Sequence, residues 1–456
     1  MNHTKKCFFV TLFVILYVAV FCPTKLIANE QYAGADDEWW RRFKHIDTGS
    51  GILDIGATYR ILAQRWTDFD LKSYAGTNRT DRMLSERLWL DFNWQWNTNN
   101  RVFLQLQDAR STLSDYSRSD FSPHCSIENP FDVREIFIEF KKILDTPLGI
   151  KAGRQRIAYA DQLVWGPGDW SNSGKFTYDA IKLSWEDAYL RLDTIWAKRV
   201  LADPECFDSE HDSYEAGGAY ISIKKLPVYL DIFYVLKHDS TKIYAGESET
   251  NSLALHAVGT RIETKEKDGL FATVTSVAEF GDWGNSDIRS YAYATKAGYR
   301  FTEPINSAIM VSYAVASGDS DPLDNKHETY DPLFQAVHIP FGLMDVVSWK
   351  NLHDLAWEFS IKPISGLCLT PSYHIFKLDE ARDAWYWSTE KPMRRDKTGS
   401  SGTDLGDEFD LTVAISLSNW LKLEAVYGRF VPGDFIKQTG GYRNADWVSL
   451  QTLISF

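Results

Sequence analysis

The chain has 456 residues, 44% of them apolar and 14% aromatic, with 49 basic and 62 acidic residues giving a formal net charge of −13. That composition excludes a disordered or collagen-like chain, and the acidic balance argues against a nucleic-acid binder. A mean hydropathy of −0.31 excludes a multi-spanning helical membrane protein, but not a membrane β-barrel, whose alternating strands never average out as hydrophobic.

The first element is an apolar run from Phe8 to Phe21, preceded by Lys5 and Lys6 and followed by Pro23 and Leu26-Ile27-Ala28. A charged start, a short apolar core and a small exit residue describe a secretory signal peptide, residues 1–28, with cleavage expected after Ala28. The run is shorter than the roughly 20 residues a spanning helix needs. Cleavage takes three lysines and no acid, leaving 46 basic against 62 acidic residues, net −16. Residues 29–50 read as a periplasmic N-terminal segment. Cys7 and Cys22 leave with the signal, and Cys125, Cys206 and Cys368 remain without CxxC or Cys/His spacing. No metal framework or cofactor is therefore expected.

From residue 51 to 456 the apolar pattern has period two. Phe409, Leu411, Val413, Ile415 and Leu417 interleave with Asp410, Thr412, Ala414 and Ser416, as a strand with one greasy and one polar face requires. The pattern predicts 18 strands near 51–66, 83–96, 101–111, 133–142, 148–156, 176–186, 188–199, 214–225, 227–237, 252–265, 269–280, 289–302, 305–317, 352–362, 366–378, 408–418, 420–430 and 446–456. Links after even strands are short, such as Glu186-Asp187 or Asn419, while those after odd strands are mostly long and polar. That alternation predicts a transmembrane antiparallel up-and-down β-barrel with turns at the periplasmic end and long loops outside. The last strand alternates Val448, Leu450, Thr452 and Ile454 and ends on Phe456, the kind of terminus barrel-assembly machinery reads. Trp66, Trp94, Trp96, Trp185, Trp420 and Trp447 lie near strand ends, where interfacial girdles sit.

In such a barrel the polar parity faces an aqueous lumen. Strand 2 offers it Arg87, Asp91, Asn93 and Gln95. Strand 6 gives Lys182 flanked by Asp179, strand 7 Arg191 and Asp193, strand 12 Lys296 and Arg300, and strand 17 Lys422 and Glu424. Arg134 and Glu135 sit at the outer end of strand 4, where parity is ambiguous. Cations retained inside an acidic protein point to an anion path. Ser312, Ser317 and the histidines at 327, 338, 353 and 374 have no GxSxG or comparable context, so no enzyme is expected. Loops 112–132, 318–351 and 379–407 are long enough to fold inward as a lid. Cys125 and Cys206 both fall in outer loops and form the one pair placed to bond; Cys368 is mid-strand.

One segment stands apart: Gly153-Arg154-Gln155-Arg156, Tyr159-Ala160-Asp161, then Trp170-Ser171-Asn172 and Phe176-Thr177-Tyr178-Asp179-Ala180. Guanidinium forks match carboxylates and tryptophan faces stack on sugar rings, which suits an acidic glycan. These motifs resemble the alginate-export family of Gram-negative outer-membrane proteins. The likeness continues at Ala316-Ser317-Gly318-Asp319, Phe334, His338 and Gly342, Asn351-Leu352-His353-Asp354-Leu355, Gly406 to Asp410, and Tyr427 to Gly433. The resemblance implies a monomeric 18-stranded outer-membrane barrel that passes a uronate polysaccharide through an Arg-lined constriction. Arg154 and Asp161 would be constriction residues, joined by Arg134, Arg87, Arg191 and Lys182, with Trp170 as a sugar platform. The implied partners are the anionic polysaccharide, outer-membrane lipid including lipopolysaccharide, the barrel-assembly machinery through Phe456, and periplasmic secretion components. Ala160 and Lys175 depart from the glycine and arginine the family pattern carries there. The alternative reading is a general or small-anion and oligosaccharide porin.

Overall fold

The computed structural model describes residues 39–68, 80–114, 127–240, 252–265, 268–302, 305–321, 323–335, 338, 340–388, 390 and 392–456. The expected signal peptide, and Cys125 with its expected pairing, lie outside these residues.

Eighteen antiparallel strands close into one barrel: β1 (Ile52–Thr67), β2 (Thr80–Asn97), β3 (Asn100–Thr112), β4 (Asn129–Phe140), β5 (Leu148–Gln155), β6 (Thr177–Glu186), β7 (Leu190–Leu201), β8 (Ser209–Ile223), β9 (Val228–Asp239), β10 (Leu253–Thr264), β11 (Gly269–Trp283), β12 (Ser286–Phe301), β13 (Asn306–Ala316), β14 (Leu352–Ile364), β15 (Leu367–Lys377), β16 (Asp404–Ser416), β17 (Leu421–Pro432) and β18 (Ala445–Ser455). Each expected strand has its counterpart. Several run further outward than the sequence suggests, β4 from Asn129 rather than 133 and β8 from Ser209 rather than 214. Those rim ends lack the apolar alternation because their outer faces have left the hydrocarbon.

Each strand pairs with its neighbour, and β18 closes on β1 with Thr58 opposite Ser455 and Thr67 opposite Asp446. Phe456 completes the seam: its amide donates to Ala57 O at 3.0 Å and its carbonyl accepts from Ala57 N at 3.2 Å. Closure removes the unpaired edge that a bilayer cannot solvate.

Side-chain parity follows the period-two pattern. Ile232, Tyr234, Trp357, Phe359, Phe409 and Ile415 are exposed on the outer wall, where lipid covers them in a membrane barrel. Arg87, Asp193, Asp354 and Asp410 are buried inside. Two of the six expected girdle tryptophans correct that expectation. Trp66 and Trp447 pair across the seam on the inward parity, and both pack against the interior cluster.

The interior is filled from above by loops. Residues 156–176 and 317–351, and the segment that holds the hairpin Ala384–Tyr386/Pro392–Arg395, bury Trp165, Phe334, Trp349 and Trp385 inside the barrel. Two of the three loops expected to fold inward therefore do so. Most of the third, 115–126, lies outside the described residues, and loop 156–176 goes inward although its length gave no such sign.

Candidate functional site

Loop 156–176 is held by guanidinium groups. Arg87 Nη1 donates to Asp169 O at 2.7 Å and Ser171 O at 2.9 Å, and Arg60 Nη1 to Trp170 O at 2.9 Å. Arg134 donates to Ser173 O at 2.8 Å and Asp169 Oδ1 at 2.6 Å. Arg156 joins Asp169 Oδ2 at 2.6 Å and Glu135 Oε1 at 2.7 Å. Arg60, Arg87 and Arg134 are 3%, 5% and 4% exposed, so their charges are compensated by these oxygens rather than by water. Burial works against the Asp169 charge, but Arg134, Arg156 and Arg87 outweigh it and hold the carboxyl below its ordinary value.

A local irregularity resolves the ambiguous parity of Arg134. The pairing of β3 with β4 slips between Gln105/Glu135 and Leu106/Val133, an extra residue that lets Arg134 and Glu135 both turn inward. Gly174 has φ +82°, and a Cβ there would run into the Arg134 guanidinium.

The inward segments lock to one another. Trp165 bridges Phe334 in parallel register, with rings 5.0 Å apart. Trp170 stacks on His338 at 3.6 Å and 1°. Lys175 Nζ meets Glu390 Oε1 at 2.8 Å. Burial opposes the Glu390 charge, yet Lys175, Lys237 and Lys350 overcome it and hold the carboxyl at about 2. The strand walls grip the second segment too: Lys237 pairs with Asp331 at 2.7 Å, Glu408 accepts from Met344 N at 2.9 Å and Asp410 from Leu343 N at 3.1 Å.

Below the loops, toward the short turns, lies a cavity of about 710 Å³ bordered by Asp161, Lys182, Arg191, Asp193 and Arg261. Arg191 and Lys182 pair with Asp193 at 3.1 and 3.7 Å, and Arg261 faces Asp161 at 3.4 Å. Tyr159 and Tyr220 stack there at 4.0 Å.

The expected site residues thus divide. Asp161, Lys182 and Arg191 share the cavity. Arg87 and Arg134 are committed to the loop, and Trp170 is stacked on His338 rather than offered to a ligand. Arg154 corrects the expectation outright. It pairs in register with Ile136 and Asp179 on the outer face, where its guanidinium binds Asp179 at 2.9 Å and Asp208 O at 2.9 Å. Asp179 shares that face, so it flanks Arg154 rather than Lys182. Parity alone contradicted the motif here: Lys151 and Gly153 point inward and Arg154 cannot. Arg60 and Arg261 escaped notice, although both stand on the inward parity of β1 and β10.

The sequence profile described as alginate export matches residues 52–448. The chain belongs to the alginate export family. No curated protein matches its sequence. Its fold is similar to solved Pseudomonas aeruginosa and Acinetobacter baumannii structures. The outer membrane protein opdK of P. aeruginosa has TM-score 0.58 and 10% identity, over 88% of this chain and 99% of that one. Acinetobacter OccAB2 has TM-score 0.58 and 12% identity, over 89% and 98%. Pseudomonas OpdO has TM-score 0.56 and 10% identity, over 90% and 98%. Family and fold together make this alginate export family member a bacterial outer-membrane channel.

Proposed function

We propose that the channel conducts an anionic polysaccharide of the uronate type across the outer membrane of a Gram-negative bacterium, as a monomer. The observation that carries this reading is the lower cavity, where Lys182, Arg191, Arg261 and Lys296 line a space beside the Tyr159–Tyr220 stack. Ammonium and guanidinium groups trade carboxylate partners along a chain of uronates, and ring faces suit sugars. The acids Asp161, Asp193, Asp231 and Glu263 keep Lys182, Arg191 and Arg261 paired between passages, which lowers the affinity of any one step and favours release. Barrel-assembly machinery and lipopolysaccharide are the proposed contacts of Phe456 and the outer wall, and periplasmic secretion components would deliver the polymer.

The same balance of charge favours a second reading, a porin for small anions or oligosaccharides. Planar-bilayer conductance of the refolded barrel separates the two. Oligouronates that block anion current at submillimolar concentration support the polymer conduit; anion current indifferent to them leaves the porin.

A further inference from the structure

A second cavity of about 160 Å³ lies against β11–β14, under Leu163, Pro340 and Phe341. Asp161 and Lys296 line both this cavity and the larger one below it. Asp161 comes from loop 156–176 and Lys296 from the inward parity of β12, where it stands opposite Thr273 of β11 and Ser312 of β13.

We infer that the path through the lumen runs between Asp161 and Lys296, along the β11–β14 wall, and that the Lys296 ammonium sets its ion selectivity. The inference deepens the proposed function by naming where selection occurs, and it needs only that a solute crosses the barrel.

Three observations carry it. First, the β1–β4 side is occupied: Arg60, Arg87 and Arg134 are spent on the backbone oxygens of residues 169–173. Second, the other cations of the lower cavity are engaged. Lys182 and Arg191 are held by Asp193, and Arg261 by Asp161, Asp231 and Glu263. Third, Lys296 makes no ion pair among the described residues, although Glu358 is close enough to feel its charge. A solute anion can displace water from an unpaired ammonium more readily than a carboxylate from a guanidinium. Small and hydroxylated neighbours, Thr273, Thr275, Ala294, Ser312 and Ala314, leave room along that wall.

Reversal potentials across a KCl gradient test the inference on the full refolded barrel. Lys296→Glu should lower the anion-to-cation permeability ratio at least threefold, Asp161→Asn should raise it, and Lys296→Arg should leave it near the starting value. A Lys296→Glu barrel with an unchanged reversal potential overturns the inference. A second measurement does not need current. In a chain whose Cys125, Cys206 and Cys368 are replaced by serine, Lys296→Cys should be modified by an anionic methanethiosulfonate supplied from the periplasmic side. A thiol that stays unmodified in the folded barrel also overturns it. Oligouronate block of the unsubstituted barrel separates the two readings: block with a silent Lys296→Glu discards the path and keeps the polymer, while a shifted ratio without block does the reverse.

Discussion

Lys175 and Glu390, 215 positions apart in the chain, meet at 2.8 Å with 4% and 6% of their side chains exposed. The pair ties the loop after β5 to the segment between β15 and β16, so the two fill the interior together.

Breaking a buried ion pair from one side leaves an uncompensated charge and costs about 3–5 kcal/mol. Glu390→Gln should therefore lower the thermal midpoint and raise single-channel conductance, because the segment loses its hold on loop 156–176. The swapped pair Lys175→Glu/Glu390→Lys should restore part of both. Conductance unaltered in Glu390→Gln would show that this contact does not keep the lumen closed.

Acid should loosen the interior segments in two stages, first around His327 between β13 and β14 and then at Glu390. Burial, reinforced by Lys350, pushes His327 down to about 4, below its ordinary 6.5, so the unfolded chain binds the proton first. Stability is full above pH 6.5 and is lost as pH falls toward 4, by up to about 3 kcal/mol. Glu390, held at about 2, contributes above its unfolded value near 4.5 and loses that contribution as pH falls further toward 2. Thermal unfolding in detergent should show both stages, and His327→Gln should flatten the upper one alone.

Gly174→Ala combines a left-handed φ of +82° with a Cβ driven into the Arg134 guanidinium. The expected cost is about 1–3 kcal/mol. It should appear as faster proteolysis between residues 160 and 176, read by mass spectrometry, while the strands stay intact by circular dichroism.

Arg154→Gln should leave ion selectivity where it was, since the side chain lies on the outer face with Asp179. Its effect should be a slightly lower thermal midpoint. A reversal potential moved by this substitution would return Arg154 to the lumen.

Strand number, order and inward parity were legible because period two records which side of the wall each residue faces. Lys182, Arg191, Asp193, Lys296 and Lys422 stand where parity put them. The interior loops were not legible, for a physical reason: a segment that packs inside a barrel is irregular, and Trp165 or Trp349 looks the same in sequence whether it meets a core or a membrane interface. Arg134 needed the slip in β4 to turn inward, and no pattern announces a bulge. At Arg154 motif and parity disagreed, and parity was right, because backbone geometry constrains direction more tightly than similarity does.

The seam between Ala57 and Phe456 also sets an order of events. The strand Ile52–Thr67 is synthesised first among those of the wall, and its permanent neighbour Ala445–Ser455 last. For the whole interval between, an amphipathic edge waits without its partner, open to any passing strand. Because closing the ring joins the most distant parts of the chain, it is also the contact with the largest entropic cost. The molecule therefore depends on being kept apart from its own copies until both strands of the seam are in place.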